Sequence, residues 1–177
     1  MPSPSTVRAR ILIWAMMLLG GMALSFLMDF EWFRPLLLST RWHVASALIG
    51  FMLLKLVFTI SKTTGRTLAR YGRTGDLPRF ETNQLVTRGP YACMRHPMHL
   101  GLLFLPLAIA LIVGSPSFIL IISPIEMIFM LVMIMVFEER EAYRKFGQAY
   151  LEYQESVPPF NVSPSCLKKL LSPQPEE

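Results

Sequence analysis

Four apolar stretches, residues 11–28, 44–60, 100–113 and 118–137, constrain this chain more than any other feature. Each is long enough, or nearly so, to cross a bilayer whose hydrocarbon layer is about 30 Å thick. The third is short by itself and contains Pro106, but it gains length if Pro97 and Met98 begin it, since proline is tolerated in a first helical turn. Only Gly114, Ser115, Pro116 and Ser117 separate the third stretch from the fourth, so the two form a tight helical hairpin. Composition agrees: 53% of the residues are hydrophobic and 16% charged, against about a quarter charged in a water-soluble domain. The expected fold is therefore an all-α integral membrane bundle of about four transmembrane helices. Arg8 and Arg10 precede the first stretch, and the bulky MDFEWFRP that follows it offers no small-residue cleavage site, so the first helix is expected to stay uncleaved.

The formal net charge of +5 points, on so apolar a chain, to anionic lipid headgroups and away from nucleic acid. Its distribution orients the bundle. Lys62, Arg66, Arg70, Arg73, Arg79, Arg88 and Arg95 lie between the second and third stretches, and Arg140, Arg144, Lys145, Lys168 and Lys169 follow the fourth. Between the first and second, Arg34 and Arg41 are balanced by Asp29 and Glu31. The positive-inside rule then puts both termini and the 61–96 segment on the cytoplasmic side, with Trp32, Phe33 and Trp42 in an aromatic belt opposite. Cys93 and Cys166 fall in segments assigned to the cytosol, where thiols stay reduced, and their spacing suits neither a metal site nor a disulfide framework. Lys55 is about 7.5 Å from its helix end and can snorkel. Glu126 is about 16 Å deep, so it should be protonated, face the bundle interior or touch water.

Beyond Phe137 the chain becomes charged. Tyr143, Phe146, Tyr150 and Tyr153 recur at steps of three, four and three, which makes one aromatic stripe on an amphipathic C-terminal helix at the cytoplasmic membrane surface. Gly147 interrupts that pattern. Residues 1–160 read as one domain and 161–177 as a loosely ordered tail.

These placements bring two polar clusters together. Arg95, His96, Pro97, Met98 and His99 open the third helix, and Glu138 and Glu139 close the fourth. A short turn holds those helices antiparallel, so cations, imidazoles and carboxylates converge at one lipid interface. Such convergence is either a site for a charged cofactor meeting a lipid-borne acceptor or a set of interfacial salt bridges.

The stretch LVTRGPYACMRHPMHLG, residues 85–101, resembles the "LV…GPY…RHPxYxG" signature of the integral-membrane methyltransferases. That family includes isoprenylcysteine carboxyl methyltransferase and the phospholipid N-methyltransferases. EEREAYRKFGQAYLEYQESVP, residues 138–158, is similar to the family's "EE…FGxxYxxYxxxVP" ending. The resemblance implies S-adenosylmethionine as methyl donor and, by motif position, Leu85, Val86, Tyr91, His96, Pro97 and Glu138 as cofactor contacts. Those residue types suit the ligand, because a sulfonium is attracted to an aromatic face and to carboxylates. A glycine-rich dinucleotide fingerprint is absent from the sequence.

The sequence also departs from the isoprenylcysteine pattern. Ile134 stands where those enzymes carry a substrate-binding arginine, Asn83 where they have histidine, and His99 where tyrosine is common. The expected acceptor is therefore a phospholipid amine or related small lipid embedded in the membrane, with prenylcysteine carboxyl methylation as the alternative. An amine acceptor must lose a proton, a task for His99 or Glu139 as general base, while Arg95 would hold an anionic headgroup or the cofactor carboxylate. Two other readings share the architecture: a sterol-type reductase, which would need more helices, and a non-catalytic membrane protein.

Overall fold

The computed structural model describes residues 4–77 and 82–172, and these are helical between turns, with no strand among them. The helices are α1 (Pro4–Trp32), α2 (Arg34–Leu37), α3 (Thr40–Tyr71), α4 (Pro97–Leu103), α5 (Leu105–Val113), α6 (Ser123–Met133), α7 (Glu139–Phe146), α8 (Gln148–Ser156) and α9 (Pro164–Leu171). A 3-10 turn, Gly89–Ala92, precedes α4, and π-helical turns at Phe118–Ile122 and Ile134–Glu138 lie on either side of α6. Three continuous helical stretches, Leu12–Trp32, Thr40–Tyr71 and Phe118–Phe146, are long and apolar enough to cross a membrane. Pro97–Val113 is shorter, about 25 Å at 1.5 Å per residue, and begins at Pro97 as expected. Phe104 separates α4 from α5 because Pro106 has no N–H to continue the ladder.

The chain divides into two compact units: Met1–Lys55 with Leu103–Val132, and Leu56–Leu102 with Met133–Glu177. In the first, close helix contact depends on glycines. A Cβ on Gly21 of α1 would lie 2.6 Å from Glu126 Oε1 and 2.7 Å from Ile122 Cγ2, and one on Gly50 of α3 would lie 2.7 Å from the Ile112 backbone nitrogen. Small residues of this kind let membrane helices approach, since lipid gives no hydrophobic drive for helix pairing. Glu126 is buried in the notch left by Gly21, turned to the protein interior as its depth requires.

The hairpin turn of this unit is closed by a residue that the sequence shows only as a loop charge. Asp29 is fully buried; its Oδ1 accepts the Ser117 N–H at 2.7 Å, and Oδ2 accepts the Ser115 hydroxyl. Ser115 Oγ in turn accepts the Phe118 N–H at 3.1 Å, so the carboxylate caps the helix start through both direct and relayed bonds. Trp42 Nε1 donates to Gly114 O at 2.8 Å. Gly114 itself has φ 74°, and a Cβ there would meet the His43 ring at 2.3 Å, so only glycine fits.

In the second unit Ile60, Met94, Cys166 and Leu170 form a buried apolar cluster. This corrects two expectations. The segment from Asn161 is not a loose tail through residue 172: α9 forms there, and Cys166 and Leu170 are buried. Cys93 and Cys166 are not separate thiols but are joined as a disulfide, with Cα atoms 5.9 Å apart across 73 residues of sequence. Sequence spacing could not show this pairing, because it exists only once α9 packs on the segment that follows the 3-10 turn. Gly147 does break the aromatic helix, ending α7 with φ 57° and ψ −132°, a conformation that suits glycine.

Candidate functional site

The second unit assembles the polar cluster from three pieces of chain. After the 3-10 turn, Arg95 and His96 lie in a short bent link whose backbone N–H groups donate to Pro158 O at 2.9 Å and Pro159 O at 3.1 Å. The double proline has no N–H groups of its own, but its carbonyls still accept, and so it holds the motif in place. Pro97 then starts α4, fully buried.

The π turn Ile134–Glu138 decides which glutamate joins. In a regular α-helix, at about 100° per residue, Met130, Ile134 and Glu138 would share a face. The π turn adds a residue to the repeat, and the buried set is Met130, Ile134 and Glu139. Glu138 is half-buried.

Glu139 is the hub. Its Oε1 accepts from Arg95 Nε at 3.0 Å and His96 Nε2 at 2.5 Å, and its Oε2 from Arg95 Nη2 at 3.1 Å and Gln154 Nε2 at 3.0 Å. Four donors fill the acceptor positions of one carboxylate. The fork-to-fork Arg95 pair is the strong, charge-assisted arrangement that a buried ion pair needs. Arg95 Nη1 donates to Gln154 O at 3.1 Å and to Val157 O, so all three guanidinium nitrogens are engaged within the chain. Burial holds the His96 imidazole below its ordinary pKa, outweighing the upward pull of Glu139, so the ring is neutral. Its bond to the carboxylate then puts the proton on Nε2 and leaves a lone pair on Nδ1.

Aromatic rings enclose the cluster. His99, half-buried, meets His96 edge-on at 5.6 Å between ring centroids, and Phe160 lies 5.9 Å from His96. Tyr153 OH donates to Tyr91 O at 2.6 Å, tying α8 to the 3-10 turn. Tyr150, packed edge-on against Tyr153 at 6.1 Å, is buried, with its hydroxyl beside the Glu139 and Arg95 pair. Burial raises the pKa of Tyr91, Tyr150 and Tyr153 above the ordinary phenol value, so all three stay protonated.

Of the residues singled out in the sequence, Arg95, His96 and Glu139 are thus in direct contact, with His99 and Tyr91 alongside. Val86 is buried and Leu85 half-buried in the preceding link. Asn83 organises that link: its Oδ1 accepts the Thr74 N–H at 2.9 Å, and its Nδ2 donates to Thr74 O at 2.9 Å. Gln154 and the Pro158 and Pro159 carbonyls were not anticipated. The carbonyls carry no sequence signal, since every residue has one. Gln154 lies four residues after Tyr150 on one helix, a spacing that was legible.

Apolar spans with exposed Leu, Ile, Met and Phe side chains, and a buried ion-paired cluster in the unit holding the chain's polar links, define a helical membrane protein with a polar site. Residues 43–149 match the phospholipid methyltransferase family model, a stretch that includes Arg95, His96, His99 and Glu139. The chain belongs to the phospholipid methyltransferase family, and membrane methyl transfer is the activity that membership implies. No match was found among curated proteins or among solved structures.

Proposed function

We propose that this chain transfers a methyl group from S-adenosylmethionine to the amine headgroup of a phospholipid held in the membrane, at a site facing the cytoplasm. The observation that carries this reading is the convergence of Arg95, His96 and Gln154 onto the buried carboxylate of Glu139. The donor and acceptor set fits the cofactor. Neutral His96 offers the Nδ1 lone pair to an ammonium, and Tyr91 and its neighbours offer aromatic surface to a sulfonium. Leu85, Val86, Tyr91, His96, Pro97 and Glu138 are the residues assigned to hold it.

When bound, S-adenosylmethionine supplies the methyl group and the positive charge that makes it transferable. The protein's contribution is to hold donor and acceptor in line and to exclude water. Arg95 and Glu139 act here as positioning residues: the guanidinium fixes the carboxylate, and the carboxylate fixes the His96 tautomer. With its acceptor positions filled, Glu139 is poorly suited to take a proton. His99 is the group assigned to remove one from an ammonium acceptor. Ile134 is buried and carries no charge at the position where prenylcysteine enzymes use arginine, which favours an amine over a carboxylate acceptor.

Calorimetric titration of S-adenosylmethionine into the detergent-purified chain tests the reading, with His96→Ala and Glu139→Gln alongside. Micromolar binding by wild type and loss in both variants is the expected result. A folded wild type that binds none, in detergent and in nanodiscs, overturns it. Labelled methyl transfer to phosphatidylethanolamine in preference to a prenylcysteine would settle the acceptor class, and a normal rate in His99→Phe would remove that histidine as base.

A further inference from the structure

A phosphate group is best met by a cation with donors to spare, and Arg95 has few: its three guanidinium nitrogens already donate to Glu139, Gln154 and Val157. Holding an anionic headgroup there would mean breaking bonds to the carboxylate or to the two carbonyls. The same unit carries a second cationic cluster that the arrangement above leaves unused.

Three segments build it. Tyr71 ends α3, and the guanidinium carbons of Arg70 and Arg88 lie 5.4 and 5.9 Å from the centroid of its ring. Gly72, next in the chain, is buried against the link that leads to Arg88: a Cβ there would lie 3.0 Å from Thr82 Cγ2 and 3.3 Å from Val86 Cγ2. Lys145 of α7 reaches the same place, its Nζ donating to the Thr82 hydroxyl at 3.3 Å. Arg70, Arg88 and Lys145 are exposed. Positive charge from α3, the link and α7 thus gathers around Tyr71 and Thr82.

The contacts described for Arg88 and Lys145 are the Tyr71 ring, the Thr82 hydroxyl and the Phe146 ring, and none of these carries a countercharge. Contact with a ring draws on the charge of a guanidinium and leaves its planar N–H fork to other acceptors. That fork matches two oxygens of a phosphate, and a lysine beside it adds a point charge. Like charges held close together repel, so an anion among them relieves a cost the protein already bears. Arg88 also comes two residues after Val86, which is assigned to the cofactor, so an anion held there is next to the segment proposed to bind the methyl donor.

We propose that Arg88, supported by Arg70 and Lys145, receives the phosphodiester of the phospholipid whose amine is methylated. The assignment rests on the methyltransferase reading above and supplies the recognition of its acceptor. It divides the work between two arginines: Arg95 is spent on fixing Glu139, and Arg88 is open to lipid.

The test is Arg88→Gln in the full chain, purified in detergent, beside a control in which Lys168→Gln and Lys169→Gln remove two exposed charges from α9 of the same unit. Wild type and variants are titrated with S-adenosylmethionine, with short-chain phosphatidylethanolamine in mixed micelles, and with inorganic phosphate. Arg88→Gln should bind the phospholipid about tenfold more weakly, with S-adenosylmethionine affinity and unfolding midpoint close to wild type and the α9 control unaffected. Arg88→Lys should recover part of the loss, because it restores the charge without the fork. Equal phospholipid binding by wild type and Arg88→Gln overturns the assignment. An equal loss in the α9 control also overturns it, by making the effect one of general surface charge, and so does inorganic phosphate binding as tightly as the phospholipid, which would make the cluster a site for a free anion. A wild type that binds the phospholipid through Arg88 but no S-adenosylmethionine overturns the methyltransferase reading, and the acceptor role with it, while upholding the phosphate contact.

Discussion

Asp29 and Glu139 are both buried carboxylates, one in each unit, yet their surroundings differ in kind. Asp29 takes a backbone N–H and a hydroxyl from the turn at residues 115–117, all uncharged donors within one short segment. Glu139 takes a guanidinium, an imidazole and a side-chain amide from two distant segments. A carboxylate met by turn donors closes a turn. One met by a cation and a neutral histidine holds a set of side chains in fixed orientation. The contrast separates an acid that closes a turn from one that gathers side chains of separate segments, although composition and burial treat the two alike.

The largest effect should come from removing one member of the ion pair. Glu139→Ala leaves Arg95 buried without its counter-charge and should destabilise the protein by about 3–5 kcal/mol. Asp29→Ala leaves only uncharged donors unmet and should cost about 1–3 kcal/mol. Unfolding in a mild detergent measures both, and equal losses would break the distinction between the two acids.

The disulfide sharpens the comparison further, because it ties the site-bearing unit alone. Closing a loop of 73 residues contributes about 2–4 kcal/mol by loss of unfolded-state freedom. Cys166→Ser should therefore lower the unfolding midpoint under non-reducing conditions and match wild type once dithiothreitol is present. A free-thiol assay on the denatured, unreduced protein that finds two thiols per chain would remove the cross-link.

The smallest expected effect is a pH dependence. The folded His96 prefers the neutral form, so its pKa lies below the value of about 6.5 found in unfolded chains. Its contribution is complete above that pH. As pH falls below about 6.5 the unfolded ring takes a proton that the folded ring resists, and stability declines by at most about 1.4 kcal/mol per unit. His96→Gln should flatten the profile in this window; an unchanged slope would mean that some other group controls it.

Much of this was legible in the chain. The four apolar stretches, the turn at Gly114, the break at Gly147 and the helix start at Pro97 all follow from local rules about hydropathy, φ angles and missing N–H groups. The meeting of Arg95 and His96 with the glutamate pair also follows, from a short hairpin and the order of the helices. The choice of Glu139 over Glu138 does not. A π turn rotates what comes after it, and hydropathy does not register one extra residue in a helical repeat. Arg95 likewise reads as a basic residue available to a headgroup, whereas its partners come from segments more than forty residues away.

The sequence by itself therefore determined a helical membrane chain with a polar junction, because backbone hydrogen bonding in lipid and local backbone sterics leave few alternatives. Only the tertiary structure decided which side chains in that junction are bonded to one another. Hydrogen-bond satisfaction is a property of atoms brought together in space, and the residue types alone do not specify it.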